Sequence, residues 1–272
     1  MATDYGGQAA YGDRRGRHGR APAILAVAAA VLVAGAAGLG VSLVGVVTQV
    51  LPRQFTAHQQ QQIIDWEVGK RWRLLTAGTI FAASVRYAPP AVLDGGGTLS
   101  LSARRIGIAR QASCQAATDG AVAAVLTRNG CQAVLRATYV DTTDTYVVTV
   151  GVAVFGAEAE ASAAQRELPG ATPGAGGSAQ APAPGVLPVL FKGTPAAWFT
   201  SGRRQITASL SAGTYVIFYA VGYADQRPRL PVAADSYADG EMTSVGMGLA
   251  QAVASVLAAP VAAPRCPGTP GC

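Results

Sequence analysis

The chain has few of the residues that carry most enzyme chemistry. Its 272 residues include two histidines, His18 and His58, and neither lies in a folded-domain pattern. A serine- or cysteine-based triad therefore has no obvious general base. The four cysteines do not have zinc-ligand spacing, and no glycine-rich phosphate loop precedes a helix with a lysine. We expect a protein that is not an enzyme and that needs no cofactor and no metal.

Charged residues are also scarce, at 13% of the chain, and the formal net charge is +6. The basic residues are scattered along the chain and are not clustered with aromatic residues. This pattern argues against nucleic acid as a partner. It predicts solubility, with a weak attraction to anionic lipid headgroups or wall polymers.

A long apolar run near the N-terminus is the most informative feature that the chain does have. Residues 21–52 carry no formal charge, and residues 23–47 are almost wholly alanine, valine, leucine, isoleucine and glycine. About 20 apolar helical residues cross the roughly 30 Å hydrocarbon core of a bilayer. The run predicts one transmembrane helix, so membrane lipid is an expected partner.

Arginines before the run predict its orientation, because arginines near a membrane end are retained in the cytoplasm. They place residues 1–20 inside as a basic tail and the chain from residue 53 outside. The arginines are Arg14, Arg15, Arg17 and Arg20. A cleaved signal peptide and a buried soluble helix are the alternatives. The apolar run exceeds the roughly 7–15 residues of a signal peptide, which favours the anchor.

All the cysteines follow the apolar run: Cys114, Cys131, Cys266 and Cys272. Four cysteines in an oxidising compartment predict two disulfides, with three possible connectivities. We favour Cys114–Cys131 and Cys266–Cys272. The first pair closes only around a short helix, because bridged Cα atoms lie about 4.4–6.8 Å apart and a continuous helix would separate them by about 25 Å.

The first part of the outer region, residues 53–169, begins with a helix predicted over residues 59–75. Its apolar stripe includes Val68 and Trp72. Packing on the domain's own sheet is favoured over a position at the membrane interface. The elements that follow are strands at 80–87 and 98–109, a helix at 120–128 with Asp119 as its N-cap, strands at 133–139 and 146–155, and a helix at 157–168.

Residues 170–185 are rich in proline, glycine and alanine and predict a flexible linker or loop. Residues 186–260 form the second part, and residues 261–272 form a Pro/Gly-rich tail with the second cysteine pair. The second part has strands at 187–191, 203–210 and 215–223 and a helix at 240–257. The predicted buried stripe of that helix is Met242, Val245, Leu249, Val253 and Val256. The order predicts an α+β fold: an antiparallel sheet with helices packed on one face and two similar hairpin–helix halves. Two separate domains are the alternative.

Three tyrosines share one face of the strand at 215–223: Tyr215, Tyr219 and Tyr223. Tyrosine combines a rigid ring with a polar tip, so this face could line a binding groove. Core packing is the favoured alternative.

Acidic residues collect just before and at the start of the last helix: Asp225, Asp235, Asp239 and Glu241. They could bind a divalent cation or supply an acid/base pair. Helix capping and interaction with the helix dipole are the alternative.

Four segments resemble uncharacterised single-pass proteins of actinomycetes. They are residues 63–72 (IIDWEVGKRW), 130–141 (GCQAVLRATYVD), 235–244 (DSYADGEMTS) and 264–272 (PRCPGTPGC). The resemblance implies a Gram-positive cell envelope and brings no assigned activity. The architecture is also similar to the extracytoplasmic sensor domains of some actinobacterial Ser/Thr kinases, which are anchored, disulfide-stapled α+β units.

These observations predict a membrane-anchored cell-envelope protein with a non-catalytic extracytoplasmic domain. That domain would bind or scaffold another envelope protein or a wall component. A ligand sensor that signals through the span is the first alternative. An envelope hydrolase that uses carboxylates alone is the second.

Overall fold

One antiparallel sheet organises the part of the chain that the structure describes. The computed structural model of the chain describes residues 55–90, 99–168, 183–230 and 237–261. Its strands are β1 (Ser84–Tyr87), β2 (Leu101–Ile108), β3 (Ala133–Asp141), β4 (Tyr146–Val154), β5 (Ile206–Ala212) and β6 (Tyr215–Tyr223). They lie in the order β1-β2-β3-β4-β6-β5, and every neighbouring pair is antiparallel. The predicted α+β class and antiparallel sheet are confirmed.

The helices match most of the predicted positions. They are α1 (Ala57–Leu74), α2 (Ala77–Ile80), α3 (Cys114–Ala117), α4 (Gly120–Arg128), α5 (Glu158–Glu167) and α6 (Tyr237–Leu257). Helix α4 has the predicted bounds. It ends because Gly130 takes a φ of +82°, a left-handed conformation that glycine adopts without strain.

Helices cover both faces of the sheet, so the prediction of helices on one face is wrong. Every residue of β4 is buried, and so is every residue of β6 except Tyr223. Successive strand residues point to opposite faces, so two apolar faces must be covered. The first face lies under α1 and α6, and the second face lies under α3, α4, α5 and residues 186–199.

The first face is covered by a long helix with an apolar stripe. Four of the five predicted stripe residues of α6, Met242, Val245, Leu249 and Val253, are buried on it, together with Leu257, whereas the fifth, Val256, is only partly buried. Trp72 of α1 also lies in this core. That position agrees with packing on the domain's own sheet and leaves the ring unavailable to lipid headgroups.

The second face is held by short elements and a covalent link. Cys114 and Cys131 form the predicted disulfide, with Cα atoms 6.4 Å apart. The link closes because the chain turns between α3 and α4, each of which is short. Cys266 and Cys272, the second predicted pair, lie outside the described residues.

The hairpin–helix order occurs twice, as β3-β4-α5 and as β5-β6-α6. All four of these strands join one sheet through the pairing of β4 with β6. The two helices nevertheless lie on opposite faces of that sheet. The two halves therefore share an order of elements but pack differently.

An ion pair also connects the chain before and after the predicted linker. Asp119 is the N-cap residue of α4, as predicted, but its side chain makes no hydrogen bond to the helix. Its carboxylate instead accepts from two Arg204 nitrogens at 2.6 and 3.1 Å and from the Gly185 N–H at 2.7 Å. The physical reason is that the Arg204 side chain, 4% exposed, needs a carboxylate at this depth.

Within the described ranges, no helix has both the length and the apolarity needed to cross a membrane. The predicted anchor, residues 21–52, lies outside those ranges, as do residues 170–182 of the predicted linker.

Candidate functional site

A partly enclosed pocket of about 340 Å³ opens where the β3–β4 hairpin turns. The ends of β1, β2 and α6 complete its wall, and we call it the Tyr146–Glu241 pocket. Its lining residues are Tyr87, Pro90, Leu99, Leu101, Asp141, Thr143, Thr145, Tyr146 and Glu241.

The central polar contact of the pocket joins a strand to a helix. The Tyr146 hydroxyl donates to Oε2 of Glu241 at 2.5 Å. Tyr146 starts β4 and is directly paired with Tyr223 of β6, with their ring centroids 5.9 Å apart. Burial first, and then the hydrogen bond and charge of Glu241, raise the pKa of Tyr146. The phenol therefore remains a protonated donor over the whole physiological pH range.

A second carboxylate of the pocket, Asp141, is occupied by its own hairpin. It is 3% exposed and accepts the backbone N–H groups of Thr143 at 3.1 Å, Thr145 at 2.8 Å and Tyr146 at 2.7 Å. The Thr143 hydroxyl donates to it as well. These bonds close the turn, so Asp141 supplies negative charge to the pocket but has few lone pairs left to accept a proton.

Tyr87 forms the opposite wall and lies close to α6. A Cβ on Gly248 would lie 2.4 Å from the Tyr87 Cβ, so only glycine permits this approach of the helix to the sheet. Burial, followed by the charges of Asp141 and Glu241, raises the pKa of Tyr87. No arginine, lysine or histidine is among the residues that line the pocket in the described part of the chain.

Two of the predicted tyrosines are core residues. Tyr215 and Tyr219 are fully buried on the first face and do not line the pocket. The Tyr215 hydroxyl donates to the carbonyl of Val68 on α1. The Tyr219 hydroxyl has no partner among the described residues, and burial raises its pKa to about 12. Their positions agree with the core-packing alternative.

The third predicted tyrosine lies beside the pocket. Tyr223 is partly exposed at the end of β6, between the Tyr146 ring and the Arg227 guanidinium, which is 4.4 Å from the Tyr223 ring centroid. Its ring is tilted by 37° to the Tyr146 ring, and it does not itself line the pocket.

The structure separates the predicted acidic residues. Asp225 pairs with Arg227 on the surface, and the hydrogen bond from Arg227 lowers the pKa of Asp225. Asp235 lies outside the described residues. Asp239 is partly buried on α6, two positions from Glu241, so the two side chains point in different directions. Of the described members of this set, only Glu241 lines the pocket.

Sequence reasoning found Glu241 but missed its partners Tyr146, Asp141 and Tyr87. A signal existed for Asp141, since the Asp-Thr-Thr-Asp motif predicts a turn that an aspartate closes. No local signal relates Tyr146 to Glu241, because 95 positions separate them and only the order of strands brings them together.

These features define an α+β domain, stapled by a disulfide, with a polar pocket between its sheet and its longest helix. Within the described ranges, no group of three or more histidine, cysteine, aspartate or glutamate side chains could hold a metal ion. The chain matches no known family model, no curated protein and no solved structure.

Proposed function

We propose that this protein is a single-pass, membrane-anchored protein of the cell envelope whose extracytoplasmic domain binds a ligand or partner without catalysing a reaction. The Cys114–Cys131 bridge supports the location, because disulfides persist in oxidising compartments. The uncharged run over residues 21–52 supports the anchor. The resemblance to actinomycete membrane proteins agrees with both.

The observation that carries a binding role is the hydrogen bonding inside the Tyr146–Glu241 pocket. Asp141 already accepts four hydrogen bonds, and Glu241 accepts from a phenol that stays protonated. A general base needs a lone pair within reach of the proton that it removes. Asp141 has few lone pairs left for either task, whereas Glu241 accepts one bond and keeps lone pairs with which it can orient a bound donor group.

A ligand-sensing role is the second candidate, and the position of α6 favours it. Glu241 lines the pocket near the start of α6, while at the other end Arg71 of α1 donates to the carbonyls of Leu257, at 3.0 Å, and Ala259. The helix spans about 24 Å between Glu241 and Leu257. If α6 can occupy two positions, a ligand with a higher affinity for one of them would favour that position and would shift α1 with it. Helix α1 follows the predicted anchor in sequence.

Site-specific crosslinking on full-length protein in native membranes tests the binding role. A photoreactive residue at Thr143, exposed at the pocket, is expected to give an adduct that a matched probe at Ala159, exposed on α5, does not give. The substitution Glu241→Gln should weaken the Thr143 adduct, because it removes the charged acceptor. Identical adducts at both positions, or an adduct indifferent to Glu241→Gln, would contradict binding at this pocket.

A further inference from the structure

The second face of the sheet carries a separate, more open concavity of about 800 Å³. Residues 192–198 form one side of it, and the β3–β4 turn and the chain after β6 form the other. Its larger side chains are Asp144, Lys192, Thr194, Trp198 and Gln226. We call it the Trp198–Lys192 pocket. The Tyr146–Glu241 pocket shares no lining residue with it.

Trp198 is exposed although its neighbours are fixed. Trp198 is 54% exposed, whereas Ala196 is fully buried and Phe199 is 1% exposed. All three lie in or next to the 3₁₀ turn Pro195–Trp198, which Thr194 caps by accepting from the Ala196 N–H at 3.2 Å. An indole presented to solvent by a rigid turn is a preorganised contact surface.

The chain on both sides of this turn packs closely on the sheet, and at two of the contacts glycine provides the necessary room. A Cβ on Gly151 would lie 2.6 Å from Val186, and one on Gly222 would lie 2.6 Å from the Phe199 ring. The Thr138 hydroxyl donates to the Val189 carbonyl at 3.0 Å. The exposure of Trp198 therefore reflects a fixed backbone and not a loose loop.

The polar groups around Trp198 favour an anion. Lys192 makes no ion pair with any described residue. Asp144 is already paired with Arg104 at 2.9 Å, which leaves Lys192 as the uncompensated charge. Asp144 and Gln226 both take left-handed backbone conformations, with φ of 52° and 67°, and such conformations concentrate at binding sites.

We propose that the Trp198–Lys192 pocket binds an acidic saccharide. The apolar face of a sugar ring would stack on the indole, Gln226 would bond hydroxyl groups, and Lys192 would bind a carboxylate or phosphate. The Thr194 hydroxyl, which already donates to the Phe191 carbonyl at 2.7 Å and accepts from the Ala196 N–H, would accept one further bond. The remaining lining residues, Gly193, Pro195, Ala197 and Ala224, are small and offer no deep apolar socket for a peptide side chain. The shape therefore suits a flat, polar ring.

Calorimetric titration of full-length protein in detergent tests this site with three probes: glucuronate, glucose and a β-1,4-linked oligoglucuronate. We expect glucuronate to bind more tightly than glucose, because Lys192 recognises the acidic group. Tighter binding of the oligomer than of glucuronate would identify a polymer as the ligand, and equal binding would identify the free sugar. Failure of both acidic probes to bind would overturn the proposal.

Matched variants assign binding to the pocket. Trp198→Ala should weaken glucuronate binding by about tenfold, as for an aromatic hot spot, and Trp198→Phe should weaken it less. Lys192→Gln should abolish the preference for glucuronate over glucose. Leu190→Ala is the control, since Leu190 is 49% exposed on the same segment but does not line the pocket. Equal weakening by Leu190→Ala and Trp198→Ala would contradict the assignment.

Discussion

The two faces of the sheet are stabilised in different ways. A long helix buries a continuous apolar stripe on the first face, together with the rings of Tyr139, Tyr215 and Tyr219. The second face has shorter helices and a long irregular segment, which a disulfide and the Asp119–Arg204 ion pair connect. Burial of one large helix stabilises by removing apolar area from water, whereas small elements bury too little area and need specific links.

The second face should be the more sensitive to loss of a single charge. Asp119→Asn leaves Arg204, whose side chain is 4% exposed, without its carboxylate, so we expect unfolding free energy to fall by about 3–5 kcal/mol. Urea unfolding measures the change. Asp144→Asn is the control, because its pair with Arg104 is exposed and should contribute less than about 1 kcal/mol. Similar losses from both variants would show that burial of Arg204 does not matter.

The first face should respond instead to loss of apolar volume. Leu249 of α6 is fully buried, and Leu249→Ala is expected to lower the unfolding free energy by about 3 kcal/mol through lost burial and a residual cavity. Leu74→Ala, at a position that is 65% exposed, should change it by less than about 0.5 kcal/mol. The same denaturant titration checks both variants, and a small loss at Leu249 would refute the packing assigned to α6.

Removal of the disulfide should weaken the second face selectively. The double variant Cys114→Ser with Cys131→Ser frees a loop with a sequence separation of 17, and we expect a loss of about 2–3 kcal/mol. Hydrogen exchange of backbone amides locates the effect. Protection should fall in α3 and α4 and should be kept in α6. Uniform loss of protection over both faces would contradict the claim that the disulfide stabilises the second face selectively.

Alkaline pH should weaken the first face, and the contribution of each single tyrosine is the smallest of the expected effects. Burial raises the pKa of Tyr139 and of Tyr219 to about 12, against about 10 in the unfolded chain. The unfolded state therefore loses these protons first, and stability falls as pH rises from about 10 to 12. The loss is about 1 kcal/mol for each tyrosine at about pH 11. Tyrosinate absorbance followed during unfolding checks this, and titration of all tyrosines near pH 10 in the folded protein would contradict it.

Local patterns predicted the elements of the fold well. The bounds of α4, the β3–β4 hairpin, the stripe of α6 and the Cys114–Cys131 bridge were all readable, because each depends on neighbouring residues or short spacings. The second covered face was not predicted. The uninterrupted Val-rich sequence of β4 is typical of burial on both faces, but it also fits one strand of a hairpin that packs against a single layer.

The candidate site was predictable only in part, because its contacts join distant segments. Glu241 was found from its acidic neighbours, whereas its partner Tyr146 depends on the strand order that places β4 beside β6. The contact of Asp119 was also not predictable from local sequence. Its position predicts a helix cap, and only the fold brings Arg204 to it. Residue type and local position do not specify which of several acceptors a buried arginine will reach.

The redox state of Cys114 and Cys131 in living cells tests the central claim most directly. Free thiols are blocked in intact cells, the full-length protein is purified and digested without reductant, and the peptides are identified by mass. An oxidised extracytoplasmic domain predicts that the two cysteines appear in one linked pair of peptides. Recovery of both as blocked free thiols would contradict the disulfide and, with it, the proposed location outside the cytoplasm.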